Sequence, residues 1–170
     1  MNKLKQGFSP IADEWAAILI LGSMPGEESL RKNEYYANSR NTFWKIMAGL
    51  FNYDHIASYS EKIRKLTKHK IALWDVIQTC ERRGSLDSAI DNRTIRENDF
   101  ASFYRSHPNI KYVFFNGAKA EHEYLKRVLP SLSDQAKGIT YARLPSTSPA
   151  MAQLSFDEKL LQWSRIKSLR

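Results

Sequence analysis

The run Ile18, Leu19, Ile20, Leu21, followed at once by Gly22 and then by Pro25-Gly26, constrains the fold more than any other part of the chain. Consecutive apolar residues, half of them β-branched, present no polar face to water. The segment therefore reads as a strand buried on both sides, as in a parallel sheet covered by helices. Gly22, Pro25 and Gly26 then turn the backbone with little side-chain bulk. Such a turn lies at the carboxyl end of a buried strand, where open α/β sheets bind ligands.

The rest of the chain repeats this pattern. Apolar runs at 17–22, 71–77, 111–115 and 139–144 read as strands, with helical periodicity between them. Phe43, Ile46, Met47 and Leu50 recur at helical spacing, and Trp44 and Phe51 widen their stripe. Residues 56–68 predict a basic helix with Ile63 and Leu66 inward. Phe100, Phe103 and Tyr104 predict another, and Tyr124, Leu125, Val128 and Leu129 a further one before Pro130. Ser155 and Glu158 open the last helix in capping-box register. Alternating strands and helices predict a parallel sheet with helices on both faces and right-handed crossovers, in one domain over residues 1–170. The polar stretch 81–98 reads as a long functional loop, because no change in composition marks a second core.

A net charge of +8 and a pI near 9.6 favour a polyanionic partner, nucleic acid being the simplest. Cys80 is the only cysteine, which excludes an intramolecular disulfide framework and any all-cysteine metal site, and suits a reducing, cytoplasmic setting. No apolar run is long enough to span a bilayer. His55, His69, His107 and His122 lack metal-ligand spacing and read as surface or structural residues.

Several polar residues fall where a ligand site is expected. The sequence GSMPG is neither a P-loop nor a dinucleotide fingerprint, yet its backbone can donate to an anion or a carbonyl. Asn41, just before Phe43-Trp44, is either the cap of a helix or a catalytic amide. Tyr35 and Tyr36 lie in a polar loop, where an aromatic ring either stacks on a base or packs against the domain. Asp75 follows Leu73-Trp74 at a strand end, placed for a pocket, a cap or a loop ion pair. The hydroxyl-rich, proline-stiffened segment LPSTSPAM at 144–151 suits phosphate contacts or a plain strand-to-helix connection.

Taken together and in order, GSMPG, YYANSRNTFW, ALWDVIQTCERRGSLDSAI and LPSTSPA resemble the motifs of the uracil-DNA glycosylase superfamily. Within it they look most like those of the hypoxanthine-DNA glycosylases, with the mismatch-specific uracil/thymine-DNA glycosylases next. The resemblance implies a three-layer α/β/α sandwich on a four-stranded parallel sheet. It also implies a monomeric, monofunctional enzyme that excises a deaminated base from DNA, hypoxanthine or uracil, without metal or cofactor, and leaves an abasic site. Mismatch-type relatives carry a catalytic Asn where this chain has Met24, so the resemblance transfers that role to Asn41 of the RNTFW motif. It places Gly22, Ser23, Met24, Pro25, Gly26, Tyr36, Phe43 and Asp75 around the base, with Tyr36 stacked on it. It assigns Ser146, Thr147, Ser148, Pro149, Ala150 and Met151 to a loop that presses into the minor groove. The chain departs from the family pattern at Ser39 and Met151. A non-catalytic nucleic-acid binder of the same fold, and an enzyme acting on free nucleosides, are the alternatives.

Overall fold

The structure is a computed structural model that describes residues 3–132, 134 and 137–169. The chain runs β1 (Lys3–Gln6), β2 (Ile18–Gly22), α1 (Glu27–Lys32), α2 (Phe43–Phe51), α3 (Tyr59–Lys68), β3 (Ile71–Asp75), β4 (Ile77–Arg82), β5 (Arg96–Glu97), α4 (Phe100–Ser106), β6 (Tyr112–Asn116), α5 (Ala118–Glu123), β7 (Thr140–Leu144) and α6 (Phe156–Trp163). A four-stranded parallel sheet of order β3-β2-β6-β7 forms its centre. As expected from its composition, β2 is buried along its whole length.

The alternation of β2 divides the core into two layers. Leu19 and Leu21 pack with Trp74, Phe100, Phe103, Phe115 and Tyr124 under α4 and α5. Ile18 and Ile20 pack with Phe43, Met47, Leu66, Leu73 and Trp163 under α2, α3 and α6. Each aliphatic or Phe side chain among them contributes about 1.5–3 kcal/mol when taken out of water, and no side chain of β2 itself has a polar edge that would let the strand sit at a surface. The result is the expected α/β/α sandwich.

The helix ends follow local chemistry. Capping boxes start α3 at Ser58/Glu61 and α6 at Ser155/Glu158. The basic helix expected from residue 56 therefore begins at Tyr59. The helical pattern around Tyr124 is α5 continued by a single π turn over residues 124–128.

The structure corrects two expectations. The apolar run 71–77 is not one strand: β3 ends at Asp75, and after the buried Val76 the chain leaves the central sheet as β4. A second, antiparallel sheet of order β1-β4-β5 then forms. The mixed Lys/Leu/Lys/Gln sequence of β1 carries no apolar stripe, and the strand is held by backbone pairing to β4. The stretch 81–98 is likewise anchored rather than a simple loop. It contains the end of β4, two 3-10 turns and β5. Its Ile90 and Ile95 bury against Met24, Ile77 and Cys80.

Strand order places the site. The chain passes from β2 to β3 on one side and to β6 and β7 on the other, so the order reverses between β2 and β6. The crevice beyond the carboxyl ends at such a reversal is where open α/β sheets bind ligands. Gly22, Asp75, Asn116 and Leu144 end the four strands there.

Candidate active site

Gly22 is glycine because two side chains occupy the space a Cβ would take. A Cβ there would collide with the Asp75 carboxyl and come within 3.0 Å of the Tyr36 hydroxyl. The turn that follows is held from below by Arg82, only 1 % exposed, whose guanidinium donates to the carbonyls of Met24 and Pro25. In a trans peptide the carbonyl and the next N–H point opposite ways, so the Pro25 bond directs the Gly26 N–H away from Arg82. From above, the segment after β4 clasps the turn. Ser23 donates to Asp87 at 2.6 Å, and Ser85 Oγ accepts the Glu27 N–H at 2.9 Å. Met24 borders the cavity, but its side chain belongs to the small cluster beneath the turn.

Both tyrosines border the cavity, and they are held differently. Tyr35 is a packing residue: its hydroxyl donates to the Ser9 carbonyl, its ring meets Phe8 edge-on, and its carbonyl accepts the Trp44 indole N–H. Tyr36 has φ of 53°, a left-handed conformation uncommon for a bulky residue, and its half-buried ring packs on the core layer under α2 at the edge of the cavity. One ring face stacks on Phe43, with centroids 4.1 Å apart. Phe43 itself is fully buried and does not reach the cavity, so the structure moves it from base contact to the support behind Tyr36.

Asn116 is the residue that sequence reasoning missed. Its Nδ2 donates to the Tyr36 hydroxyl at 3.0 Å and to Thr147 Oγ1 at 2.9 Å, while its Oδ1 accepts the Thr147 N–H. One amide thus fixes both the aromatic wall and the loop after β7. Like Asp75, Asn116 is a polar residue that ends an apolar strand, after Phe114-Phe115.

Asn41 lies at the cavity wall, and its Oδ1 accepts the Phe43 N–H at 2.9 Å. The N-cap of α2 is Thr42, which makes no side-chain cap bond; Asn41 stands one residue earlier and closes an Asx turn onto the first helical N–H. A carbonyl oxygen has two lone pairs, so the same atom retains capacity for another donor. Arg40 beside it is exposed at the cavity mouth and makes no ion pair among the described residues.

Two carboxyls meet at the strand ends. Asp75 is 3 % exposed, and its Oδ2 has no hydrogen-bond partner among the described residues. Burial pushes its carboxyl up to about 7; the Asp87 carboxylate adds to the rise and the Arg82 guanidinium opposes it. Asp87 is also raised, by desolvation first, although one face stays open to solvent and the Ser23 hydroxyl pulls the other way. Both groups hold a proton more firmly in the folded chain than in the unfolded one. Their stabilising contribution is therefore complete below the unfolded value near 4. It is lost as pH rises, for Asp75 by about 7. Urea unfolding of Asp75→Asn is expected to gain on the native chain steadily between pH 4 and pH 7. A difference that does not change with pH would place the titration on other groups.

The loop after β7 is anchored inward and exposed at its tip. Thr147 is buried, and its carbonyl accepts the Thr42 N–H at 3.0 Å. It therefore ties the loop to the start of α2 and offers little to a partner. Pro149 and Ala150 are exposed at the tip, flanked by the half-buried Ser148 and Met151. The Met151 carbonyl accepts from the buried Lys159 at 2.7 Å. Ser146 fills the hollow over Gly117, whose φ is 97°.

These pieces enclose a cavity of about 650 Å³, lined from all four strand ends and from the segment after β4. An aromatic wall, fixed amides, carboxyls and an unpaired arginine at the mouth describe an α/β protein built to hold a flat, polar ligand carried on an anion. The comparisons with known proteins agree. The model of the uracil DNA glycosylase superfamily matches residues 10–167, and the chain belongs to that family. It is 40% identical to the hypoxanthine DNA glycosylase of Methanosarcina acetivorans over 140 residues, covering 76% of this chain and 87% of the relative. It is 39% identical to the protein of the same name from Methanosarcina barkeri over 127 residues, covering 74% and 79%. A solution NMR structure from Methanosarcina acetivorans, described as a candidate uracil DNA glycosylase, superposes with a TM-score of 0.78. That match has 32% identity and covers 97% of this chain and 99% of that one. No described helix is long and apolar enough to cross a membrane.

Proposed function

We propose that the protein is a monofunctional DNA glycosylase that hydrolyses the N-glycosidic bond of a flipped, deaminated base, hypoxanthine first, and leaves an abasic site. The observation that carries this reading is Tyr36. Its ring is backed by Phe43, its hydroxyl is held by Asn116, and it borders the same cavity as the Asn41 amide. The names of the two Methanosarcina relatives favour hypoxanthine over uracil.

A base inside a duplex hides its C1′, so the nucleotide must first leave the stack. Arg40 at the mouth meets a phosphate. The tip of the 144–151 loop, at Ser148, Pro149, Ala150 and Met151, fills the space left in the helix, and the extruded base stacks on Tyr36. Charge develops on the base as its bond to the sugar weakens, and the polar turn at Gly22, Ser23, Pro25 and Gly26 stabilises it. The second lone pair of the Asn41 oxygen orients a water toward C1′, which carries oxocarbenium character and needs no strong base. No lysine among the described residues lines the cavity, which favours simple hydrolysis over strand cleavage. The enzyme acts as a monomer in the cytoplasm.

Incubation with duplexes bearing inosine, uracil, xanthine or a thymine mismatch, followed by alkali, tests the assignment. Alkali-labile sites are expected at inosine first. Intact strands throughout would leave a non-catalytic binder, and turnover of free deoxyinosine would leave a nucleoside enzyme. Binding to DNA should weaken steeply with added salt. Tyr36→Ala should reduce single-turnover excision by the loss of one stacking contact, on the order of 1–3 kcal/mol. Unchanged rates would remove the stacked pose.

A further inference from the structure

We propose that Asp75 is a second catalytic residue, the general acid that delivers a proton to N7 of the flipped hypoxanthine as the bond between C1′ and N9 breaks. The inference rests on the glycosylase reading above and adds to it a reason why a purine is the substrate.

The geometry is that of a buried acid with an uncommitted oxygen. Asp75 ends β3 at the floor of the cavity, is 3 % exposed, and leaves Oδ2 without a partner among the described residues. A buried carboxyl oxygen left unpaired costs free energy, so its retention at a cavity wall points to a ligand that pairs with it. Rotation about χ2 is broad for aspartate and brings either oxygen toward the cavity. Groups face it from every neighbouring segment: Tyr36 and Tyr35 from the loop after α1, Asp87 from the turn after β4, and Arg82 from β4 itself. Arg82 donates through Nη1 and Nη2 to the carbonyls of Met24 and Pro25, its Nε has no hydrogen-bond partner among the described residues, and no ion pair joins it to Asp75 there. The other charged neighbour, Asp87, is a second carboxyl. These surroundings favour the neutral acid near pH 7.

With the sugar of the flipped nucleotide at the mouth, hypoxanthine turned with its Hoogsteen edge toward Asp75 presents N7 and O6 to that carboxyl. Cleavage sends the electron pair of the C1′–N9 bond into the imidazole ring, and a proton placed on N7 from Asp75 neutralises it. Water oxygen bonds to C1′ and releases its proton to solvent, and solvent returns one to Asp75. Uracil has no basic ring nitrogen to take such a proton and departs as an anion, so the device favours purines.

The test is single-turnover excision from inosine duplexes by the native chain and by Asp75→Asn, which keeps size and polarity but has no proton to give. The native rate should fall about tenfold per pH unit above about 7, the Asp75 value. The variant should be roughly 10²-fold slower at pH 6, with a flat profile and unchanged DNA binding. A second measurement needs no variant: DNA containing 2′-deoxy-7-deazainosine lacks N7. The native chain should lose its pH dependence on that substrate, and Asp75→Asn should cost nothing further there. Inosine excision that is flat with pH, or that survives Asp75→Asn, overturns Asp75 as the acid and leaves the glycosylase standing. Absence of abasic sites from every substrate with the native chain overturns both.

Discussion

Replacing Asn41 with alanine should remove most base excision while leaving DNA binding near that of the native chain. The amide oxygen already accepts the Phe43 N–H at 2.9 Å, so the substitution has two consequences of different size. Losing this side-chain-to-backbone bond in the turn before α2 costs about 1 kcal/mol of stability, read as a small shift in the urea midpoint. Losing a polar contact that acts only in the transition state lowers the single-turnover rate by roughly two to three orders of magnitude. Asn41→Ser separates them, since a serine hydroxyl can also accept the Phe43 N–H. Stability should return and excision should not. If Asn41→Ala excises inosine at near-native rates, the residue only holds the turn before α2 and the water is oriented elsewhere.

Replacing Arg82 with alanine should destabilise the chain more than any change at the cavity wall, by about 3–5 kcal/mol. The guanidinium is 1 % exposed, so its loss leaves a void and strands the carbonyls of Met24 and Pro25 without donors. Against this stands the cost of burying a cation without a carboxylate partner, which its removal relieves. Arg82→Met decides between the terms because it fills the volume without charge. It should recover the cavity part and remain short by the unpaired carbonyls, about 1–3 kcal/mol each. Urea unfolding followed by far-UV circular dichroism reads both variants. A native midpoint for Arg82→Ala would mean that the turn holds its shape without the guanidinium. Because Arg82 also opposes the raised carboxyls, its loss should favour protonated Asp75 and Asp87 still further.

The core layers were legible because they follow from periodicity. Ile18 and Ile20 fall on one face and Leu19 and Leu21 on the other. The amphipathic stripe of α2 and the capping boxes of α3 and α6 likewise stand in the sequence. The second sheet was not legible. The strand Lys3–Gln6 has no apolar alternation and exists because β4 presents an open edge, a fact of position and not of composition. The run 71–77 looked continuous because Asp75 sits between apolar residues on both sides. Only the departure of the chain at Val76 shows that one strand ends and another begins.

The site divides in the same way. Turn, tyrosines, amide and hydroxyl loop were visible as motifs, because each needs a residue type that is uncommon where it stands. Their partners were not. Asn116 joins Tyr36 to Thr147 across separations of 80 and 31 residues. Arg82 reaches Met24 and Pro25 across 58 and 57. By itself the sequence determined a buried strand that feeds a tight turn, and helices enough to cover both faces of a sheet, since local propensity and hydrophobic pattern act over a few residues. Only the tertiary structure decided that Phe43 stands behind Tyr36, that Asn116 holds its hydroxyl, and that Asp75 keeps an oxygen without a partner among the described residues beside another carboxyl. Those outcomes depend on which strand ends become neighbours, and strand order is set by how the two layers pack.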